Sequence, residues 1–254
     1  MAVTIAITNQ KGGVGKTTTA INLAYYLSRL GKKTLLIDFD PQGNASSGLA
    51  VDKQTAKKTM TEVITGNIPL AKAVVETKFK NLFIAPATPH LANAEAELAK
   101  TNNRFSLLKI ATENTKADYD FIIIDCPPSL SLLTVNGLIA SDYLIMPIQT
   151  EFYALEGVSQ LLESMKLVKK AMNPDLELLG VLPTMVDSRT TLSNQVIDEI
   201  KKFFNDKVFN AYIPRNIRLA EAPSHGVPVG AYDKFSKGAR AYKAFTKEVL
   251  ERVG

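Results

Sequence analysis

The segment Thr8-Asn9-Gln10-Lys11-Gly12-Gly13-Val14-Gly15-Lys16-Thr17-Thr18 constrains the fold more than any other stretch of the chain. It follows an apolar, β-branched run, Val3-Thr4-Ile5-Ala6-Ile7, and leads into a helical pattern that starts at Lys16. Strand, glycine-rich turn and helix in that order form the setting in which such a loop binds phosphate. Glycines let backbone N–H groups close on phosphate oxygens, and the helix N-terminus adds partial positive charge at the same spot. In this reading the backbone of Gly12, Gly13, Val14 and Gly15 cradles the phosphates. Lys16 reaches the β- and γ-phosphates, and the Thr17 hydroxyl holds Mg²⁺.

The loop departs from the common pattern G-x-x-x-x-G-K-[ST], whose first glycine would fall at Gln10. Its glycines stand at 12, 13 and 15, and an additional lysine occupies position 11. An ordinary phosphate loop has no need of a second cation there. Lys11 therefore reads as a residue for another phosphate, with a partner subunit as one place to find it. The competing reading is a glycine-rich turn carrying two solvated lysines.

A chain of 254 residues can bury a full core, as one large α/β domain or two small ones. No apolar stretch approaches the length of a bilayer-spanning helix, and MAVTIAIT lacks the basic start of a secretory signal. A single cysteine, Cys126, leaves no intrachain disulfide and no multi-cysteine metal or iron–sulfur site within one chain. A cytoplasmic location is the expectation. The net charge of +5 is uneven. Residues 1–186 hold 18 basic against 17 acidic side chains, whereas residues 187–254 hold 12 against 8. That asymmetry suits a basic face for a polyanion, and equally an ordinary solvated lysine surface.

Short apolar runs bounded by turn residues predict strands at 3–7, 34–38, 82–85, 121–125, 143–147, 178–182 and 208–213. Several are apolar almost throughout, as strands covered on both faces should be. Helical periodicity predicts helices over 16–29, 106–115, 131–139, 155–172, 193–204 and 238–253. Residues 44–80 read as short helices and loops over one edge of the site. The alternation predicts an α/β fold: one doubly wound, mostly parallel sheet flanked by helices, a single phosphate-loop domain over 1–254. No N-terminal helix-turn-helix domain is expected ahead of the first strand.

Two strands end in acids. Phe121-Ile122-Ile123-Ile124-Asp125 delivers a carboxylate to a strand's C-terminal end, where a phosphate-loop protein places a group near Mg²⁺ and its waters. Asp38-Phe39-Asp40-Pro41-Gln42-Gly43-Asn44 puts two more acids on one side of a strand end by period-two alternation. One suits the metal shell and the other an attacking water, while an Asp-Pro turn is the competing reading.

KGGVGKTT, DFDPQGN, FIIIDCPPS, EFYALEG and IPRNIRLAEAPSHG, in this order, resemble the ParA/Soj-type chromosome- and plasmid-partitioning ATPases. These belong to the deviant phosphate-loop (deviant Walker A) group that also holds the MinD-type division-site ATPases. The resemblance runs from Val3 to about Val253. It implies ATP/ADP and Mg²⁺ as cofactors, weak intrinsic ATP hydrolysis, and an ATP-dependent homodimer that binds double-stranded DNA nonspecifically. It also implies a ParB-like centromere-binding partner that stimulates hydrolysis and release, and a nucleoid-associated location. By the same resemblance Lys11 crosses the dimer interface, Gly12 and Gly13 let the subunits approach, and Thr18 touches the α-phosphate. Asp40 positions the hydrolytic water, Asp125 is the switch acid, and Pro214 and Asn216 lie on the adenine side. Glu151 touches the ribose or the partner.

Arg189, Lys201, Lys202, Arg215, Arg218, Lys237 and Lys247 are the candidate DNA-contacting cations, with Arg189 and Arg218 in stretches that resemble the family's DNA-contacting ones. The alternative is a MinD-like, membrane-associated ATPase. It calls for a bulky amphipathic basic tail, whereas the stripe Ala239, Tyr242, Phe245, Val249 and Val253 suits docking on the domain. No membrane contact is therefore expected.

Overall fold

The computed structural model describes residues 2–53, 55–152 and 154–254. Seven strands form one sheet: β1 Val3–Ile7, β2 Thr34–Asp38, β3 Val75–Glu76, β4 Leu82–Ala85, β5 Phe121–Asp125, β6 Tyr143–Gln149 and β7 Glu177–Thr184. Their order is β3-β4-β2-β5-β1-β6-β7, and every pairing is parallel except β3 with β4 at one edge. The helices are α1 Lys16–Arg29, α2 Asn44–Gly48, α3 Met60–Ile64, α4 Leu70–Ala73, α5 His90–Leu98, α6 Leu107–Glu113, α7 Leu132–Ala140, α8 Val158–Ala171, α9 Thr191–Phe204, α10 Ile217–Glu221, α11 Val229–Tyr232 and α12 Lys237–Arg252. The expected doubly wound, mostly parallel sheet is the fold observed.

Period-two alternation divides the strand residues between two cores. Ile5, Ile7, Leu36, Ile123 and Ile145 join α1 and α12 on one face. Ala6, Leu35, Ile37, Ile122, Ile124 and Leu144 join α5, α7, α8 and α9 on the other. Strands covered on both faces have little room for polar side chains, which is why these runs are apolar almost throughout. α1 and α12 are joined by a buried hydrogen bond of 3.1 Å between the Thr19 and Tyr242 hydroxyls. Among the described residues no helix is long and apolar enough to cross a membrane.

Several elements differ from the sequence expectation, among them α5, which it lacks. Residues 208–213 do not form a strand. The segment runs along β7 and touches it through isolated bonds, Phe209 N–H to the Val181 carbonyl and Ile213 N–H to the Pro183 carbonyl, each 2.9 Å. Between them the N–H groups of Asn210 and Ala211 turn to the Glu248 carboxylate on α12, at 2.9 and 3.0 Å. A ladder cannot continue once its donors are taken by a side chain. Another difference is β3, an exposed two-residue strand too short to leave a periodic signal. The expected helix over 155–172 begins at Val158, after Gly157 in the left-handed region at φ 75°.

Candidate functional site

Parallel register gathers the site at the C-terminal edge of the sheet. Ile7 of β1 and Asp38 of β2 both stand opposite Asp125 of β5, so the phosphate loop leaves the sheet beside two adjacent acid-bearing strands, β5 and then β2. The loop is fixed at several points. The Asn9 side chain donates to the Pro147 carbonyl at 2.7 Å and accepts from the Lys11 N–H at 3.1 Å. The Thr184 hydroxyl at the end of β7 donates to the Val14 carbonyl at 2.8 Å. Gly15, at φ 90°, takes the left-handed turn that starts α1, a conformation unfavourable for any residue with a Cβ. The Lys16 ammonium folds back to donate to the Lys11 carbonyl at 3.0 Å.

Asp125 is fully buried, and neither of its oxygens has a hydrogen-bond partner. Burial first, then the neighbouring Asp38 charge, holds its carboxyl well above the ordinary range. The Thr17 hydroxyl and the Lys16 charge offset part of that cost, with Thr17 outside good hydrogen-bond geometry. Lys16 is itself buried, which lowers its pKa against the opposing pull of Asp125 and then Asp40. An orphaned carboxylate beside a hydroxyl and a lysine is a donor set suited to a hard cation with phosphate oxygens. Mg²⁺ asks for only one or two carboxylates there, since phosphates and waters complete its shell.

Asp38 is occupied otherwise than the sequence suggested. One of its oxygens accepts from both the N–H and the hydroxyl of Ser46, each at 2.7 Å, and so anchors the start of α2. Burial pushes its pKa up to about 6. That leaves Asp40 as the acid of this strand end that faces the loop. One Asp40 oxygen accepts from the Gln42 N–H at 2.9 Å, and the turn closes through Gly43 at φ 60°, where a Cβ would meet the Ala87 carbonyl oxygen at 2.8 Å. Cys126 is fully buried behind Asp125.

On the other side of Gly15 a cavity of about 390 Å³ is lined by Thr18, Thr184, Met185, Ile213, Pro214 and Asn216, among others. The Asn216 side-chain oxygen is buried without a hydrogen-bond partner. Sequence reasoning had not seen that Tyr242 of α12, a residue of the stripe it read as docking, also lines this cavity. Its position depends on α12 crossing α1, which one sequence cannot show. Glu151 pairs with Arg215 at 3.0 Å and accepts from the Gln149 side chain.

The candidate DNA cations are all exposed. The bridge between Val186 and Pro214 brings the loop of Arg189 beside Arg215, with Arg218 one turn further on α10. Each arginine is held by an acid: Arg189 by both oxygens of Asp187 at 2.9 and 2.7 Å, and Arg218 by Glu221 at 2.8 Å and Asp233 at 3.4 Å. Lys201 stands over the Tyr212 ring and Lys202 beside it on α9. Lys237 and Lys247 lie on α12, about 15 Å apart along its axis. The cations therefore form a dispersed field and not one cluster.

The AAA domain family matches residues 2–178. The chain is 53% identical to the sporulation initiation inhibitor protein Soj of Bacillus subtilis, over 98% of both chains. It is 48% identical to the chromosome partitioning protein ParA of Myxococcus xanthus, over 98% of this chain and 88% of the relative. A solved structure titled cobyrinic acid a,c-diamide synthase from Mycobacterium smegmatis, with bound ATP analog and magnesium, superposes with a TM-score of 0.90. It is 38% identical and is matched over 100% of this chain and 96% of that one. Loop, acids and cavity thus sit in a sequence that matches partitioning ATPases from end to end, and the chain belongs to the Soj/ParA family of chromosome-partitioning ATPases.

Proposed function

We propose that this ATPase works as one phosphate-loop domain that dimerises around ATP, lies on double-stranded DNA without sequence preference, and leaves it after hydrolysis. The observation that carries the reading is Asp125, a buried carboxylate without a partner next to Thr17 and Lys16. ATP with Mg²⁺ supplies the charges that balance it. Thr17 would hold the metal directly, and Asp40 and Asp125 through water. Bound Mg²⁺ neutralises charge on the phosphate oxygens. Lys16 exchanges the Lys11 carbonyl for phosphate, Thr18 meets the α-phosphate, Asp40 orients the attacking water, and Pro214 and Asn216 face the base.

The homodimer reading rests on Lys11, Gly12 and Gly13. Gly12 and Gly13 are exposed, and a Cβ on either meets nothing of its own chain within 4 Å. Gly13 needs its φ of 75°, but Gly12 has no intrachain reason to be glycine. A second subunit pressed against the loop supplies one. Lys11 then places positive charge where it develops on the partner's phosphoryl group. A ParB-like protein on the cargo DNA stimulates hydrolysis, and the dimer spends its ATP-bound life on the nucleoid. A membrane-bound mode has no support in α12, whose Ala239, Tyr242, Phe245 and Val249 are buried.

Co-sedimentation with random-sequence duplex and with liposomes, each in ATP and in ADP, tests the proposal. The duplex should pellet the chain in ATP only, and liposomes in neither. Lys11→Ala should bind nucleotide yet stay monomeric by analytical ultracentrifugation. Asp40→Ala should dimerise and stay on DNA without turnover. A chain that fails to pellet with duplex in ATP at low salt overturns the DNA reading.

A further inference from the structure

At the far end of α1, about 20 Å along the helix from the phosphate loop, a second cleft opens against α11 and the start of α12. Its volume is about 570 Å³. Tyr25, Tyr26, Leu30 and Ala239 line it, and the Phe235 side chain stands on its rim, 76% exposed. Arg29, Lys234, Arg240 and Lys243 surround it, and no acidic residue lines it. None of the four cations belongs to an ion pair among the described residues. They contrast with Arg189, Arg215 and Arg218, each already held by a carboxylate. A concave apolar floor ringed by four unpaired cations beside an exposed phenylalanine is not required by the fold or by the nucleotide site.

We propose that this cleft docks an acidic segment of a partner protein, a short run of Asp and Glu that carries one bulky apolar side chain. Charge complementarity selects the acids, and the apolar floor selects the anchor. Duplex DNA satisfies only the first condition. Its phosphates can lie across the rim, but it has no apolar group to place in a cleft of this size, and Phe235 would stay in water. A splayed base fits less well than a side chain. The Lys234 ammonium lies 4.9 Å from the Phe235 ring, and Tyr25 is engaged edge-on with Tyr26 and Phe79. Flat stacking surface is therefore scarce. The occupant is a partner-protein segment, and its binding does not depend on the nucleotide or DNA readings above.

Fluorescence anisotropy on the full chain tests this with a pool of twelve-residue Asp/Glu peptides, each carrying one central Phe, Tyr, Leu or Met. A control pool carries Gly at that place. The anchored peptides should bind saturably, at least about tenfold tighter than the control, and Phe235→Ser should remove that advantage. Arg240→Glu with Lys243→Glu should abolish binding of both pools, with Arg240→Gln/Lys243→Gln as the milder pair should the reversal not fold. ATP turnover should be unchanged in all of these variants. Equal binding of anchored and control peptides overturns the proposal, as does an unaltered Phe235→Ser variant or the absence of saturable binding. Displacement of the peptides by single-stranded DNA whose own binding needs Phe235 would make the cleft a nucleic-acid site instead.

Discussion

Asp125 shows what a buried carboxylate costs the apo fold. Its burial and the adjacent Asp38 charge are only partly offset by the Thr17 hydroxyl and the Lys16 charge, and neither oxygen has a well-formed hydrogen bond, which makes ionisation unfavourable until a cation arrives. Asp125→Asn should therefore raise the stability of the nucleotide-free chain by about 1–3 kcal/mol at neutral pH while abolishing hydrolysis. The new amide can donate to its acidic neighbours. Denaturant midpoints of the two proteins decide it, and a destabilised Asn variant would count against the charge argument. The pH dependence follows with its sign. Asp38 titrates near about 6 in the folded chain instead of near 4, and Asp125 is also raised, so the folded state holds protons that the unfolded state releases. The contribution of Asp38 to stability is full below about pH 4 and is lost as the pH rises through about 6, and that of Asp125 is lost in the same direction. Thermal melts of the apo chain should show this loss, and Asp125→Asn should flatten it. On the surface, Asp187 takes both ends of the Arg189 guanidinium, and that hydrogen bonding lowers its own pKa to about 2. A phosphate must compete with this acid for Arg189. Asp187→Asn should tighten nonspecific DNA binding about two- to fivefold at low salt, as befits an exposed pair. Unchanged or weaker binding in anisotropy titrations would show that Asp187 positions the arginine and does not mask it.

At the scale of elements, legibility followed hydrogen bonding. β1, β2, β4 and β5 were readable to the residue because both faces are covered and the runs are apolar almost throughout. The loop was readable because its glycines and lysines have no other economical use between a strand and a helix. Residues 208–213 look like a strand by composition, yet Glu248, some 38 positions away, takes the donors a ladder needs. α5 opens after Pro89 with no side-chain cap, and so without the polar start signal that marks α9 and α12. Asp38 and Asp40 are alike in sequence, and only Ser46 folding back separates them. The misread segment is also the one that carries the cavity wall. It lies against Gly180 of β7, where an added Cβ would meet the Phe209 ring at 2.6 Å and the Lys207 carbonyl oxygen at 2.7 Å. Gly180→Ala should cost about 1–3 kcal/mol by overpacking. Because the displaced segment runs on into Ile213, Pro214 and Asn216, ATP affinity should fall as well. Urea melts and nucleotide titrations read the two effects. A variant of normal stability and affinity would show that the segment is held elsewhere.

For the whole molecule the distribution of charge decides how it meets a polyanion. The basic excess lies after residue 186, and its cations are spread over α9, α10, α12 and the loops between them. Four of the six ion pairs among the described residues hold Arg189, Arg215 or Arg218, whereas Lys201, Lys202, Lys237 and Lys247 have none. Such a field makes phosphate contacts and offers no base-reading helix, so random and partition-site duplexes should bind alike. Affinity in ATP should fall with salt on a log–log slope of about −0.9 for each phosphate neutralised. Arg189→Ala with Arg218→Ala should abolish DNA binding while ATP-dependent dimerisation persists, since neither residue touches the phosphate loop. Asp187→Asn should steepen the slope, because it frees the Arg189 guanidinium to neutralise a further phosphate. A monomer offers half the field, so ADP should weaken binding far more than the loss of any single cation. If the double variant still holds DNA in ATP at low salt, the unpaired lysines carry the interface. A hundredfold preference of the chain alone for one sequence, about 3 kcal/mol, would require a base-reading element that phosphate contacts cannot replace.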